Sequence, residues 1–322
     1  MAKLLLIVEQ RRGAIREASF ELITLARELE AAAGLAPVGV VVGSGVAPLA
    51  ETMARYLPRV ICVDEPALGE FRYETHAAAL KAVIASEAPL LTLAPQSAFG
   101  AELIPRLALE LDLPCATDCL QLELADGAPS VLRSIYGGKI LSRSDFAPAA
   151  GYLVTLRGGS YSAAPEAAAP GTVEALPCPP LPATVLTEHL GYREAAGEAV
   201  DIGQAPFLLA IGRGIKDEEG VAKAQALAAR LGAVLACSRP VVDKKWLGKE
   251  RQVGTSGRNV KPKVYLALGI SGAFQHVAGL KGAGTVIAVN RDAKAPIFRA
   301  ADYGAAEDLF KILDALAEQS GA

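Results

Sequence analysis

Along the first hundred residues, short apolar runs alternate with stretches in which apolar side chains recur every three or four positions. The runs lie at residues 4–8, 38–42, 59–63 and 90–93. Each has the length of a strand buried on both faces. Between the first two, Leu22, Ile23, Ala26, Leu29 and Ala33 repeat at helical spacing, and Gly34 follows where a C-cap belongs. Further helices are expected from the Gly43-Ser44-Gly45 turn to about residue 56, over 73–86 and over 97–111. Strand and helix in alternation predict a parallel sheet covered on both faces. Right-handed crossovers then make it doubly wound.

After about Thr117 the rhythm changes. Apolar runs at 119–124, 131–136 and 152–156 follow one another without a helical pattern between them, and antiparallel additions to the first sheet are expected there. Residues 163–182 carry six prolines and read as extended or irregular structure at a domain edge. Residues 195–205 are short of large apolar side chains and contain Gly197 and Gly203. A boundary and hinge there divides the chain into domains 1–195 and 196–322. The last third restarts the alternation, with strands at 207–211, 233–236, 264–268 and 285–289 and helices over 218–231, from 272, and over 305–317. The expected fold class is α/β: two domains, each a mainly parallel doubly wound sheet flanked by helices, the second smaller and Rossmann-like.

Open α/β sheets bind ligands at the carboxyl ends of their strands. In the second domain those ends read Gly212-Arg213-Gly214, Cys237-Ser238-Arg239, Gly269-Ile270-Ser271-Gly272 and Asn290-Arg291-Asp292. All are small, polar or cationic, which suits a large anionic ligand. The third turn runs into a predicted helix, whose free amides and dipole would suit a pyrophosphate. At 100° per residue, Ala273, Phe274, Val277, Ala278 and Leu280 share the core face. Gln275, His276 and Gly279 then face away, which puts His276 beside the ligand. Of the other two histidines, His76 is expected on the surface and His189 has no partner motif. Most of the eight basic residues from Arg239 to Lys263 read as a solvated face.

Composition narrows the function classes. Hydrophobic residues make up 52% of the 322, so a large core is available. The net charge of −3 argues against nucleic acid as a partner. Five scattered cysteines, the closest pair spaced C-x3-C, suggest reduced thiols, and no metal is expected. The apolar run near the start is too short for a signal peptide, and no stretch is long enough to enter a membrane. A cytoplasmic location is expected. A G-x-S-x-G elbow, a Walker sequence, a full G-x-G-x-x-G fingerprint and H-E-x-x-H are all missing. On these residues an NAD-binding enzyme and a non-redox nucleotide-binding protein both remain open.

The run Val264-Tyr265-Leu266-Ala267-Leu268-Gly269-Ile270-Ser271-Gly272-Ala273-Phe274-Gln275-His276 closely resembles the signature of electron-transfer flavoprotein α subunits. So do Ser238-Arg239-Pro240, Gln252-Val253-Gly254-Thr255-Ser256-Gly257, Val286-Ile287-Ala288-Val289-Asn290, Ala301-Asp302-Tyr303-Gly304 and Asp308-Leu309-Phe310. The resemblance is strong over about 207–316 and weaker over the first domain. It implies an FAD-binding second domain and a first domain that pairs with a β subunit. It also implies dehydrogenase donors, as in fatty-acid β-oxidation, or NADH through the β subunit. The acceptor would be a quinone reductase or another flavoprotein, and electron bifurcation is open. By matching position, Arg239 would lie over the isoalloxazine, Ser256 near flavin N5 and His276 near flavin O2, the three tuning its redox chemistry. Ser271, Gly272 and Gln275 would line the phosphates and ribityl chain. Arg213, Ser238, Asn290, Asp308 and Leu309 would hold the rest, including the adenosine end, and Val253, Gly254, Thr255, Ala273 and Phe274 complete the expected lining. The family often has Gln at Thr255 and Thr at Ser256; both substitutions here stay polar.

Overall fold

The computed structural model describes residues 2–125, 127–136, 140–192, 202–203, 205–280 and 282–319. The chain divides into two compact units, Met1–Tyr192 and Arg193–Ala322. The proposed hinge at 195–205 lies largely outside the described residues.

In the first unit, β1 (Lys3–Ile7) leads through a small hairpin, β2 (Gln10–Arg11) and β3 (Ala14–Ile15), into α1 (Glu17–Ala33). Gly34 ends α1 at φ 65°, in the left-handed conformation of a C-cap. There follow β4 (Ala36–Gly43), α2 (Ala47–Ala54), β5 (Arg59–Asp64), α3 (Tyr73–Glu87), β6 (Leu91–Gln96) and α4 (Ala98–Leu111). The Ser97 hydroxyl caps α4 by accepting the Gly100 amide at 3.2 Å. Five strands follow: β7 (Cys115–Ala125), β8 (Ala128–Ile135), β9 (Ile140–Asp145), β10 (Tyr152–Arg157) and β11 (Thr172–Ala175). The nine-stranded sheet has the order β11-β5-β4-β1-β6-β10-β7-β8-β9. Leu4, Leu6 and Val8 pack under α1 and α2, whereas Leu5 and Ile7 pack under α3 and α4. Alternation along a buried strand thus feeds two helical layers.

Two expectations are corrected here and one is made specific. The strand at 152–156 is not an antiparallel addition. It is β10, inserted parallel between β6 and β7, and within this sheet the antiparallel ladders among the described residues are β7–β8 and β8–β9. Within the proline-rich stretch, expected to be extended or irregular, the extended part is made specific as β11, an edge strand parallel to β5 and tied by Glu174 to Arg59. His76 is buried, at 4% exposure, with Phe71 edge-on to its ring at 5.1 Å. Its neighbours Ala77 and Ala79 are themselves core. Burial holds the His76 pKa down to about 4.

The second unit contains β12 (Phe207–Ile211), α5 (Glu218–Arg230), β13 (Val234–Cys237), α6 (Arg239–Asp243), β14 (Val264–Leu268), α7 (Phe274–Val277), β15 (Thr285–Val289), β16 (Tyr303–Ala305) and α8 (Leu309–Gln319). All five strands are parallel, in the order β13-β12-β14-β15-β16. Asp217 caps α5 through the Gly220 amide at 2.9 Å. Ala305 belongs to a short edge strand, not to the closing helix, which begins four residues later. The two faces differ. One is covered by α5 and α8, the other by turns and loops contributing Val253, Val260, Ile270, Leu280 and Ile297. Among the described residues no helix is long and apolar enough to cross a membrane, and no cluster of side chains could hold a metal ion.

Candidate functional site

The carboxyl edge of the second sheet gathers the predicted residues into two neighbouring groups. The first forms around β13. Ser238 is buried at the end of this strand, and Arg239 opens α6 with its side chain 70% exposed. Its one described ionic contact, 3.5 Å to the likewise exposed Asp243, is worth little in water. The Val253 amide donates to the Cys237 carbonyl at 2.9 Å, which starts the loop 253–257 beside Ser238. The loop then closes on itself and on α7. Gly257 donates to Gly254 at 2.9 Å, Gly254 to Arg258 at 3.1 Å, and Thr255 to Gln275 at 2.8 Å. Thr255, Ser256 and Gln275 are exposed; Val253 and Gly254 are buried. Gly254 has φ 130°, and a side chain there would strike the Gln275 carbonyl.

The second group surrounds the end of β14. Gly214 donates to the Gly269 carbonyl at 3.2 Å, and Leu309 packs against both glycines. Arg213 is exposed beside them. The Asn290 carboxamide donates to Ile270 at 2.9 Å and accepts the Asp292 amide at 2.9 Å, which fixes the next turn. Asp308 accepts the Phe310 amide at 2.9 Å and so caps the start of α8. Ser271 is exposed, its carbonyl taking the Ile297 amide at 3.1 Å. Among the described residues, the amides of Ser271, Gly272 and Ala273 donate to no protein acceptor. Three successive N–H groups without a protein acceptor, in the turn after β14, are groups that an anion can satisfy.

Two expectations about this turn are corrected. The helix after Gly272 is a single turn, α7, continued by a 3-10 turn, so aligned peptide dipoles add little and an anion would be held by the amides. The face assignment, which assumed a long helix, fails at two aromatic positions, where Phe274 is 40% exposed and His276 only 6%, while Gln275 is exposed and Leu280 buried as expected. His276 Nε2 lies 2.8 Å from the hydroxyl of Tyr265, itself wholly buried on β14. Nδ1 has no hydrogen bond of ordinary geometry, although the Val253 carbonyl is near enough to attract a proton there. Burial lowers the His276 pKa to about 4, so the ring is neutral at pH 7. The structure also adds Gln252, buried at 4% exposure, whose Nε2 donates to Ser256 Oγ at 2.8 Å. Its position two residues before a glycine loop was visible in the sequence; its burial was not.

These features fit a dinucleotide. The free amides, the exposed guanidinium groups of Arg213 and Arg239, and the exposed hydroxyls of Ser256 and Ser271 all lie on one sheet edge. Comparison with known proteins agrees. Residues 4–181 match the electron transfer flavoprotein domain and residues 201–281 the electron transfer flavoprotein FAD-binding domain. Electron transfer flavoprotein subunit alpha of Syntrophomonas wolfei is 33% identical over 325 residues, covering 99% of both chains. Subunit LctC of the lactate dehydrogenase (NAD(+),ferredoxin) of Acetobacterium woodii is 32% identical over 314 residues, 96% of this chain and 74% of that one. Protein FixB of Salmonella paratyphi A is 38% identical over 227 residues, 70% and 71% of the two chains. With both of its units matched in order, the chain belongs to the electron-transfer flavoprotein α-subunit family, and its cofactor is FAD.

Proposed function

We propose that the chain is the FAD-carrying subunit of a heterodimer with an electron-transfer flavoprotein β subunit, taking electrons from dehydrogenases and passing them to a partner flavoprotein or quinone reductase. The observation that carries this reading is an exposed Arg239 directly after β13, at the strand end from which the Ser256 loop also starts. Bound FAD supplies reversible uptake of electrons, and the chain supplies position and field. The positive charge of the Arg239 guanidinium favours the more negatively charged, reduced cofactor. Ser256 offers a hydroxyl beside it. His276 sits neutral behind the loop and contributes no charge. The amides of residues 271–273, with Arg213, hold the phosphates, and Asn290 and Asp308 fix the turns at the adenosine end. The family assignment weighs against a stand-alone NAD-binding enzyme and a non-redox nucleotide protein.

A second reading concerns the electron path. One relative is a subunit of a dehydrogenase named for both NAD(+) and ferredoxin. A chain of this kind could serve a bifurcating complex, with NADH engaged through the β subunit. Co-expression with the β-subunit partner, flavin counting and redox titration test both readings. The expected complex is yellow, with at least one FAD per heterodimer, and Arg239→Ala lowers the flavin potential by on the order of 50 mV. Two flavins per heterodimer would favour the bifurcating reading. A colourless complex that takes up no added FAD would end the electron-carrier reading.

A further inference from the structure

We propose that Gln252 is a positioning residue for the cofactor: its carboxamide N–H holds Ser256 Oγ from behind, so that the serine proton points outward as a donor into the cleft. The proposal rests on the reading that Ser256 faces the flavin. A serine hydroxyl has one proton to give and two lone pairs to offer. Ser256 Oγ accepts from Gln252 Nε2 at 2.8 Å, which leaves its own proton for a partner on the other side. That other side is the exposed one.

Neither end of this pair is free to turn. Gln252 is 4% exposed, and a buried amide N–H that loses its acceptor is costly, so the bond is kept. The backbone around the pair is clamped as well. Arg258 donates to the Gln252 carbonyl at 2.8 Å, and Gln252 bridges to Cys237 at the end of β13. A Cβ on Gly257 would collide with the Gln252 carbonyl, so the loop folds directly over this residue. Thr255, next to Ser256, is held by Gln275 at 2.8 Å. The hydroxyl therefore has a fixed site and a fixed direction before any cofactor meets it. A donor held in advance strengthens with the negative charge of the group it faces and needs no reorganisation when electrons arrive. Gln252 acts only through Ser256.

A double-mutant cycle on the heterodimer holding FAD tests this, with flavin potential and FAD Kd as readouts. Ser256→Ala and Gln252→Met are each expected to lower the potential and to weaken FAD binding about five- to tenfold, the loss of one hydrogen bond. The double variant is expected to match Ser256→Ala alone. If Gln252→Met does not fold, Gln252→Glu keeps the side-chain shape and, when ionised, only accepts a hydrogen bond. It then turns the serine proton inward, and its effect on the potential beyond that of the added charge is expected to vanish in the Ser256→Ala background. A silent Gln252 variant beside an active Ser256→Ala, or effects that simply add, would overturn the proposal and leave the Ser256 reading standing. A silent Ser256→Ala would remove both.

Discussion

The two units solve the same problem at their sheet edges in opposite ways. Each has parallel strands that run out into glycine-containing turns, where successive amides are left without a backbone acceptor. In the first unit, the turn after β4 is filled from within. The Asp64 carboxylate, at the end of β5, accepts the amides of Gly45, Val46 and Ala47 at 2.7, 2.9 and 3.3 Å. In the second unit the corresponding amides, at Ser271, Gly272 and Ala273, have no acceptor among the described residues. An α/β architecture with an anion cradle is thus not enough to predict a cofactor; what matters is whether the protein has already supplied the anion. The coverings differ in keeping with this. The first sheet is closed on both faces by helices, whereas one face of the second is closed by loops that can carry exposed polar groups.

The comparison breaks most completely at Gly272. Its φ is 81°, and a side chain would run into the Ile297 backbone. Gly272→Val is expected to cost about 3 kcal/mol or more and to abolish FAD binding. Gly45 in the first unit has φ 66° but open space around it. Gly45→Ala is expected to cost only about 1 kcal/mol, the left-handed penalty alone, and to leave flavin content unchanged. Thermal melts with flavin absorbance distinguish the two; equal costs would mean that the crowding at Gly272 relaxes away.

Next in size is a feature the units share. Each buries one neutral histidine, His76 and His276, with pKa values lowered to about 4 by desolvation. The unfolded chain, with an ordinary histidine pKa near 6.5, binds the proton more readily. Stability is therefore full above about pH 6.5, falls as pH drops, and levels off below about 4. Each ring accounts for up to about 3 kcal/mol. His76→Gln and His276→Gln should each flatten this slope in denaturant titrations run from pH 7 to pH 4. An unchanged slope in either variant would mean that the ring is protonated inside the fold.

How much of this was legible in the sequence depends on what signal each element carries. Phe207–Ile211, Val264–Leu268 and Thr285–Val289 are apolar runs bounded by polar or glycine residues, and their ends coincide with the observed strands. The edge strand β9 is mostly exposed, β11 entirely so, and Tyr303–Ala305 has one partly covered residue, so none shows burial periodicity. Their backbone pairing is a tertiary fact. So is the insertion of β10 between β6 and β7, because no local pattern names a strand's neighbour. His276 was placed on the wrong side because a 100° wheel presumes several turns, and α7 has one. The cradle itself was legible as a glycine-serine turn after a buried strand. That its counterpart in the first unit is filled was not, because Asp64 lies nineteen residues from Gly45 in the chain.

The smallest effect tests the comparison most directly. If the first unit differs from the second because its cradle is already filled, removing Asp64 should make the two alike. The carboxylate is exposed, so its hydrogen bonds to three amides compete with water, and Asp64→Ala is expected to destabilise the first unit by about 1 kcal/mol. The emptied turn should then take a small anion. Inorganic phosphate at tens of millimolar is expected to restore part of the loss in the variant while leaving the parent unchanged, because binding to the folded state alone raises stability with ligand concentration. Asp64→Asn retains one accepting oxygen and should fall between the two. A loss of stability that phosphate does not repair would mean that Asp64 is a helix cap and nothing more. The difference between the units would then lie in the shape of the turn, and an anion of any kind would bind only where residues 271–273 place three free amides.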